Sequence, residues 1–395
     1  MRLRGGSLPG QDDRAIARPR LTAAASYFLV FLGAGVYMPY VPLYLAHLGA
    51  SGWQIGAVVG VQPLVRWTSA VAWAYVADRW RLRGRLLVWL PFAGGACLVP
   101  LLVSKSLPAV ALTLTAVAVC HGPLVAMLDA TVLEHLARLG GDYGRLRLWG
   151  SASFVLGAAG SAPLVAAYSP DVVPVLLLVP GLLLPVVLSR LPRASDGGAS
   201  RFQPPWRLLT PPLRAMLATV FLVELSSGTW NGFFALHTSA LGLPASTPGV
   251  TWGLAVLAEI VLFRSAGTLV GRVDVPHLVL VATALTAVRW VLTASLVREP
   301  LVIAVQLGHA VTFSALHLAA QVLITRLVPA DSTTGGQAVY GMARFGAGGA
   351  AGVWLAGALV DRLGTRALFV VDAGIALAAM IPALRLGRLS EEVAD

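Results

Sequence analysis

Charge is scarce in this chain. Asp, Glu, Lys and Arg make up 12% of 395 residues while 57% are hydrophobic, and the mean hydropathy is +0.77. A soluble domain carries about 25% charged residues, so this composition excludes one. Acidic residues number only 18 against 29 basic ones, and Lys105 is the single lysine. Cysteine is nearly absent, and Cys97 and Cys120 lie in apolar runs without metal-ligand or redox spacing, so both read as packing residues. The seven histidines are dispersed, without the closely spaced His and Asp on an interfacial loop that a membrane enzyme would need. The net charge of +11 lacks a basic patch with interleaved aromatics, which excludes a nucleic-acid partner.

Long apolar runs fill the rest. A membrane-spanning helix takes roughly 20 apolar residues, and the turn and breaker residues between runs predict twelve spans. They cover 22–46, 53–77, 86–104, 108–136, 147–168, 171–190, 214–241, 249–270, 276–297, 300–327, 337–360 and 366–387. The fold class expected is an all-α polytopic membrane protein in two six-helix bundles, at 22–190 and 214–387. Around these lie an arginine-rich tail at 1–21, a central polar loop at 191–213 and a short tail at 388–395. Arginines concentrate on one side of the spans: Arg2, Arg4, Arg14, Arg18 and Arg20, then Arg79 to Arg85, then Arg138, Arg145 and Arg147, the central loop, Arg272, Arg326, Arg385 and Arg388. The opposite side holds Lys105, Arg298, Arg362 and Arg366. The positive-inside rule then puts both termini in the cytoplasm, with the first span an uncleaved anchor.

The halves echo one another. YGRLR at 143–147 and YGMAR at 340–344 are offset by 197 residues, and Arg66 and Arg264 by 198, which favours an internal duplication. GAGGAAGVWLAG at 346–357 contains G-x-G, but no strand precedes it. Close helix packing through Gly348 and Gly352 explains it better than a dinucleotide loop. Pro39, Pro42, Pro63 and Pro123 are expected to bend or loosen their spans.

Several stretches together resemble the major facilitator superfamily, in its phenylpropionate-permease and lactose-permease-like branch. They are GAGVYMPYVPLYL (33–45), WQIGAVVGVQPLVRWTSAVAWAYVADRW (53–80), YGRLRLWGSASF (143–154), WGLAVLAEIVLF (252–263), LTAVRW (285–290), QLGHAVTFSALHLAA (306–320) and GGQAVYG (335–341). The resemblance implies two bundles rocking about a central site, with solute uptake driven by protons. Asp78 and Arg79 match the superfamily's loop between its second and third helices, where the aspartate makes a gating salt bridge; Ala74 stands where that motif has glycine, and the following RLRGR is spaced differently.

An ionisable group in the hydrocarbon region costs about 2.5–3.5 kcal/mol on insertion scales and needs a partner or a wet cavity. At about 1.5 Å per residue, Arg289, Glu259 and His309 lie at one depth on consecutive spans, which predicts a buried Arg289–Glu259 pair with His309 nearby. By resemblance the ninth span lies outside the cavity, so Arg289 is expected to hold Glu259 rather than touch solute. His309 and His317, eight apart on a cavity-lining span, are candidates for a proton relay or solute contact; that step is too long for one metal ion. Glu224 is a further candidate proton carrier, followed by Trp230 and Asn231 as solute contacts. Tyr37 and Tyr40 share a helical stripe expected to face the cavity. Arg66 and Asp129 are expected to pair, and Asp78 to latch to Arg145 and Arg147 in the outward-open state.

The function expected is secondary active transport of a small organic solute, an aromatic acid being the leading version, coupled to protons and carried out by a monomer in the cytoplasmic membrane. The alternatives are a proton-driven exporter of drugs or metabolites, a polytopic membrane enzyme, and a transporter-like sensor that binds solute without moving it. No cofactor or metal is expected.

Overall fold

The computed structural model describes residues 11–192, 208–265, 273–329 and 332–391, and every regular element among them is helical. The first half comprises α1 (Gln11–His47), α2 (Gly52–Trp80), α3 (Arg83–Leu98), α4 (Leu107–His121), α5 (Leu124–Leu139), α6 (Tyr143–Tyr168) and α7 (Val173–Leu188). The second comprises α8 (Pro211–Leu225), α9 (Gly228–Ala240), α10 (Thr247–Arg264), α11 (Val275–Ser295), α12 (Glu299–Gln306), α13 (Leu316–Leu327), α14 (Thr333–Gly341) and α15 (Gly349–Glu391). Most of the central loop, with Arg193, Arg201 and Arg207, lies outside the described residues, as do Arg2, Arg4 and Arg272.

Among the described residues, ten segments are long and apolar enough to cross a membrane. One of these, Gly335–Leu389, holds two spans, because Gly364 at φ 74° breaks α15; glycine alone adopts that conformation without a Cβ penalty. The pair α8 and α9 makes one more span, which its break divides into pieces of 15 and 13 residues. Ten, one and one give twelve. Large apolar side chains such as Val175, Val179, Leu182 and Val186 on α7 are exposed, as a lipid-facing surface requires.

Several spans are interrupted where helices of one piece were expected. Between α4 and α5 the chain turns at Gly122 and Pro123, and a Cβ on Gly122 would strike α2 at the Arg66 carbonyl. The α8–α9 break has no proline. Ser226 and Ser227 both bond back to the Val223 carbonyl, at 2.7 and 3.0 Å, competing with the helical ladder there. The tenth and eleventh spans contain π-helical turns at Ala310–Ala315 and Met342–Gly348, a feature that gathers at functional sites. By contrast α1 runs unbroken through Pro39 and Pro42, and α2 through Pro63, so the expected loosening there is not seen as a break.

Two cores mark the bundles. Ala23, Tyr27, Leu87, Leu128 and Leu188 belong to the first half alone, and Met216, Val279, Leu316, Ile324 and Leu386 to the second. A third core joins the halves at the face opposite the chain ends, where Tyr40, Tyr44 and Ile55 meet Phe233, Val353 and Val360. Small residues allow this approach: a Cβ on Gly56 would come within 2.8 Å of Gly357. The carboxylate of Asp361 accepts the Gly52 N–H with both oxygens at 3.0 Å, placing an anion at the positive end of α2. Gly348 and Gly352 pack closely on α8, at Phe221 and Leu225.

Candidate solute cavity

With the halves joined at one face, a cavity of about 810 Å³ lies between them toward the face that bears the chain ends. It is lined from α1 and α6 by Phe31, Met38, Tyr143, Arg147 and Phe154, and from the second half by Glu224, Trp230, Asn231, Trp252, Glu259, Arg289, His309, Phe313, His317, Arg344 and Phe345, among others.

Its charged groups form three clusters. In the first, Arg289 donates from Nε to Gln306 Oε1 at 2.8 Å and from Nη1 to Thr312 Oγ1 at 2.9 Å. Nη1 also meets His309 Nδ1 at 3.0 Å, while His309 Nε2 meets Glu259 Oε1 at 2.9 Å. Arginine has no acceptor, so Nδ1 must accept and the ring proton sits on Nε2, donated to Glu259. A neutral imidazole therefore joins the cation to the carboxylate. The guanidinium also lies over two indole rings, Trp230 at 4.8 Å and Trp290 at 4.3 Å.

The second cluster is built on α8 and the π-turn after α14. Arg344, 1% exposed, donates from Nε to Glu224 Oε2 at 3.3 Å and from Nη1 to the Tyr340 hydroxyl at 2.7 Å. Asn231 donates to the other Glu224 oxygen at 3.1 Å. His317 Nδ1 meets the same Tyr340 hydroxyl at 2.6 Å. That hydroxyl accepts from Arg344, which leaves its own proton available to His317.

The third cluster contains Arg147, whose guanidinium lies 4.0 Å over the Phe31 ring and 5.5 Å from Tyr27. No carboxylate lies within ion-pair distance of it among the described residues. The lining thus carries three arginines and two carboxylates inside walls of Phe, Tyr and Trp. Such a chamber suits a solute with an aromatic body and a negative charge.

A model of the MFS_1 like family matches residues 21–371. The chain belongs to that family. It is 30% identical over 369 residues, 90% of this chain and 95% of the relative, to an Escherichia coli (strain K12) protein described as "Probable 3-phenylpropionic acid transporter". It is 28% identical to "Maltose permease" of Geobacillus stearothermophilus over 68% of this chain and 69% of that one. In fold it is similar to the nucleoside transporter NupG (TM-score 0.80, 14% identity, 93% and 98% of the two chains). It is similar also to the peptide transporter POT (TM-score 0.73, 14% identity, 96% and 95%). The protein is a membrane transporter of the major facilitator type, and its relatives and fold place it among transporters rather than enzymes.

In this transporter several expected neighbours are not together. Arg289 does not bond Glu259, because His309 stands between them. Nor does the ninth span, α11, stay out of the cavity: Thr286 and Arg289 line it. Tyr37 and Tyr40 do not line it. Tyr40 is fully buried and donates to the Ala158 carbonyl at 3.3 Å, and Tyr37 faces a smaller chamber with Arg66. Asp129 accepts from the Tyr27 hydroxyl at 2.5 Å and makes no ion pair with Arg66, whose guanidinium lies 5.5 Å from the Tyr37 ring. Asp78, near the end of α2, pairs with Arg83 at the start of α3 at 3.5 Å instead of with Arg145 or Arg147; Arg145 and Arg79 are exposed. His309 and His317 both line the cavity, yet Phe313 stacks between them, 5.0 Å from one ring and 6.4 Å from the other. A phenyl ring passes no proton, so the direct relay between them is interrupted.

Sequence reasoning missed Gln306, Thr312, Phe313, Trp252 and the cavity role of Arg147. Gln306 and Thr312 carried no signal alone, since neutral polar residues are common in such spans. Arg147 did carry one: it is the partner, in the repeat, of the cavity residue Arg344.

Proposed function

We propose that this protein is a secondary active transporter that carries a small aromatic carboxylate together with protons across the cytoplasmic membrane by alternating access, working as a monomer with both termini cytoplasmic. The observation that carries the reading is the cavity itself: aromatic walls, one surplus positive charge, and Arg147 without an ion-paired carboxylate among the described residues. The name of the Escherichia coli relative, which mentions an aromatic acid, supports it. Closure at the face opposite the chain ends corresponds to an inward-facing state. Trp230, Asn231 and His317 contact the solute in this scheme, and Arg147 receives its carboxylate.

Proton coupling is assigned to Glu259 and Glu224. Each is tied to an arginine, Glu259 through His309 and Glu224 directly, so a change in its protonation alters what Arg289 or Arg344 offers the solute. In the outward-open state Asp78 leaves Arg83 and latches with Arg145, the exposed Arg79 flanking it. The test is uptake of 3-phenylpropionate into proteoliposomes. An imposed inward proton gradient is expected to drive accumulation that a protonophore abolishes. Uptake indifferent to the gradient would remove proton coupling, and failure of every aromatic carboxylate tried would remove the substrate class.

A further inference from the structure

Beside the central cavity the first bundle contains a second chamber of about 150 Å³, lined by α1, α2, α4, α5 and α7 with Leu98 of α3. Phe31 forms a wall of both. The lining of the second chamber is apolar except for Arg66, Tyr37 and His121. Arg66 stands on α2 in the middle of a membrane span, where a cation needs a counter-charge or water. Arg289 and Arg344 each have bonded acceptors, yet no carboxylate lies within ion-pair distance of Arg66 among the described residues. Asp129, expected to serve, is held by Tyr27. The Tyr37 hydroxyl and His121 Nε2 also have no hydrogen-bond partner, and the Arg66 guanidinium lies 5.5 Å from the Tyr37 ring.

We propose that this chamber is a binding site for a small inorganic monoanion of the size and charge of chloride, held chiefly by Arg66. The polar lining groups can all donate a hydrogen bond, and one cation calls for one negative charge. A water occupies about 30 Å³ of liquid, so the chamber admits an ion with a few waters and excludes a solute sized for the central cavity. The site bears on transport through α2: the next residue, Trp67, packs so tightly on the second bundle that a Cβ on Gly341 would collide with its ring. An anion that fixes the Arg66 turn therefore steadies a contact between the bundles.

The test uses purified protein in detergent at constant ionic strength, with chloride replacing gluconate, which is too large for the chamber. Wild type is expected to show a saturable rise in Tm of several degrees with chloride, Arg66→Lys a rise with a higher half-saturation, and Arg66→Gln none. Identical behaviour of wild type in the two anions, or an undiminished chloride response in Arg66→Gln, overturns the proposal. Should Arg66→Gln not fold, Val117→Phe fills the chamber while keeping the arginine; it must lose the response, and keeping it overturns the proposal equally. No solute is present in any arm, so the outcome is independent of the transport reading.

Discussion

Arg145 and Arg147 stand two residues apart in YGRLR, and the structure separates them by environment. Arg145 is exposed, whereas Arg147 lies over Phe31 at 4.0 Å on the cavity wall. If Arg147 receives the solute carboxylate, Arg147→Gln removes one charge-assisted hydrogen bond, a loss of about 1.5–3 kcal/mol. Arg147 is only partly buried, which favours the lower end. At about 1.4 kcal/mol per tenfold, the dissociation constant should rise roughly tenfold. Arg147→Lys keeps the charge but loses the planar stack on Phe31, so it should fall between. Arg145→Gln should change affinity by less than about twofold. The assay is quenching of the cavity tryptophans, Trp230 and Trp252, by titrated 3-phenylpropionate, with a thermal scan to show that each variant is folded. Equal losses from Arg145→Gln and Arg147→Gln, or no loss from Arg147→Gln, would refute the reasoning.

Other consequences are as direct. Glu224→Gln strands the buried Arg344 guanidinium and Arg344→Gln strands the carboxylate, so each should cost about 3–5 kcal/mol. The double variant should recover a large part of that in unfolding experiments, and simple additivity would count against the pair. Gly228→Ala would drive a methyl into the Gly352 carbonyl, an overpacking worth about 1–3 kcal/mol; Gly374→Ala, inside α15 with open space around it, should instead stabilise by about 0.5–1 kcal/mol in the same unfolding measurement. Asp361→Ala removes the acceptor for the Gly52 N–H, and should loosen the joined face. With Cys97 and Cys120 replaced by serine, a cysteine at the buried position 353 should then label faster with a membrane-impermeant maleimide. An unchanged rate would show that Asp361 does not hold the closure.

The sequence by itself determined the all-α membrane fold, the twelve spans and the six-and-six division, because lipid demands long apolar helices and leaves little freedom in how they are written. It also determined which spans carry ionisable groups, since each one interrupts an apolar run at a visible cost. The internal echo was legible too: Arg147 and Arg344, the matching last residues of YGRLR and YGMAR, both face the cavity. Tertiary structure alone decided the partners. Depth along a span put Arg289, Glu259 and His309 in one layer, but only helix rotation and the π-turn after His309 set the imidazole between the other two. The same turn, with ring stacking, placed Phe313 between the histidines. Tyr37 and Arg66 were legible as polar residues in apolar spans, yet which of two chambers they line depends on how α1 and α2 turn within their bundle. A one-dimensional pattern encodes distance from the membrane surface well and direction around a helix poorly, and partner choice is a matter of direction.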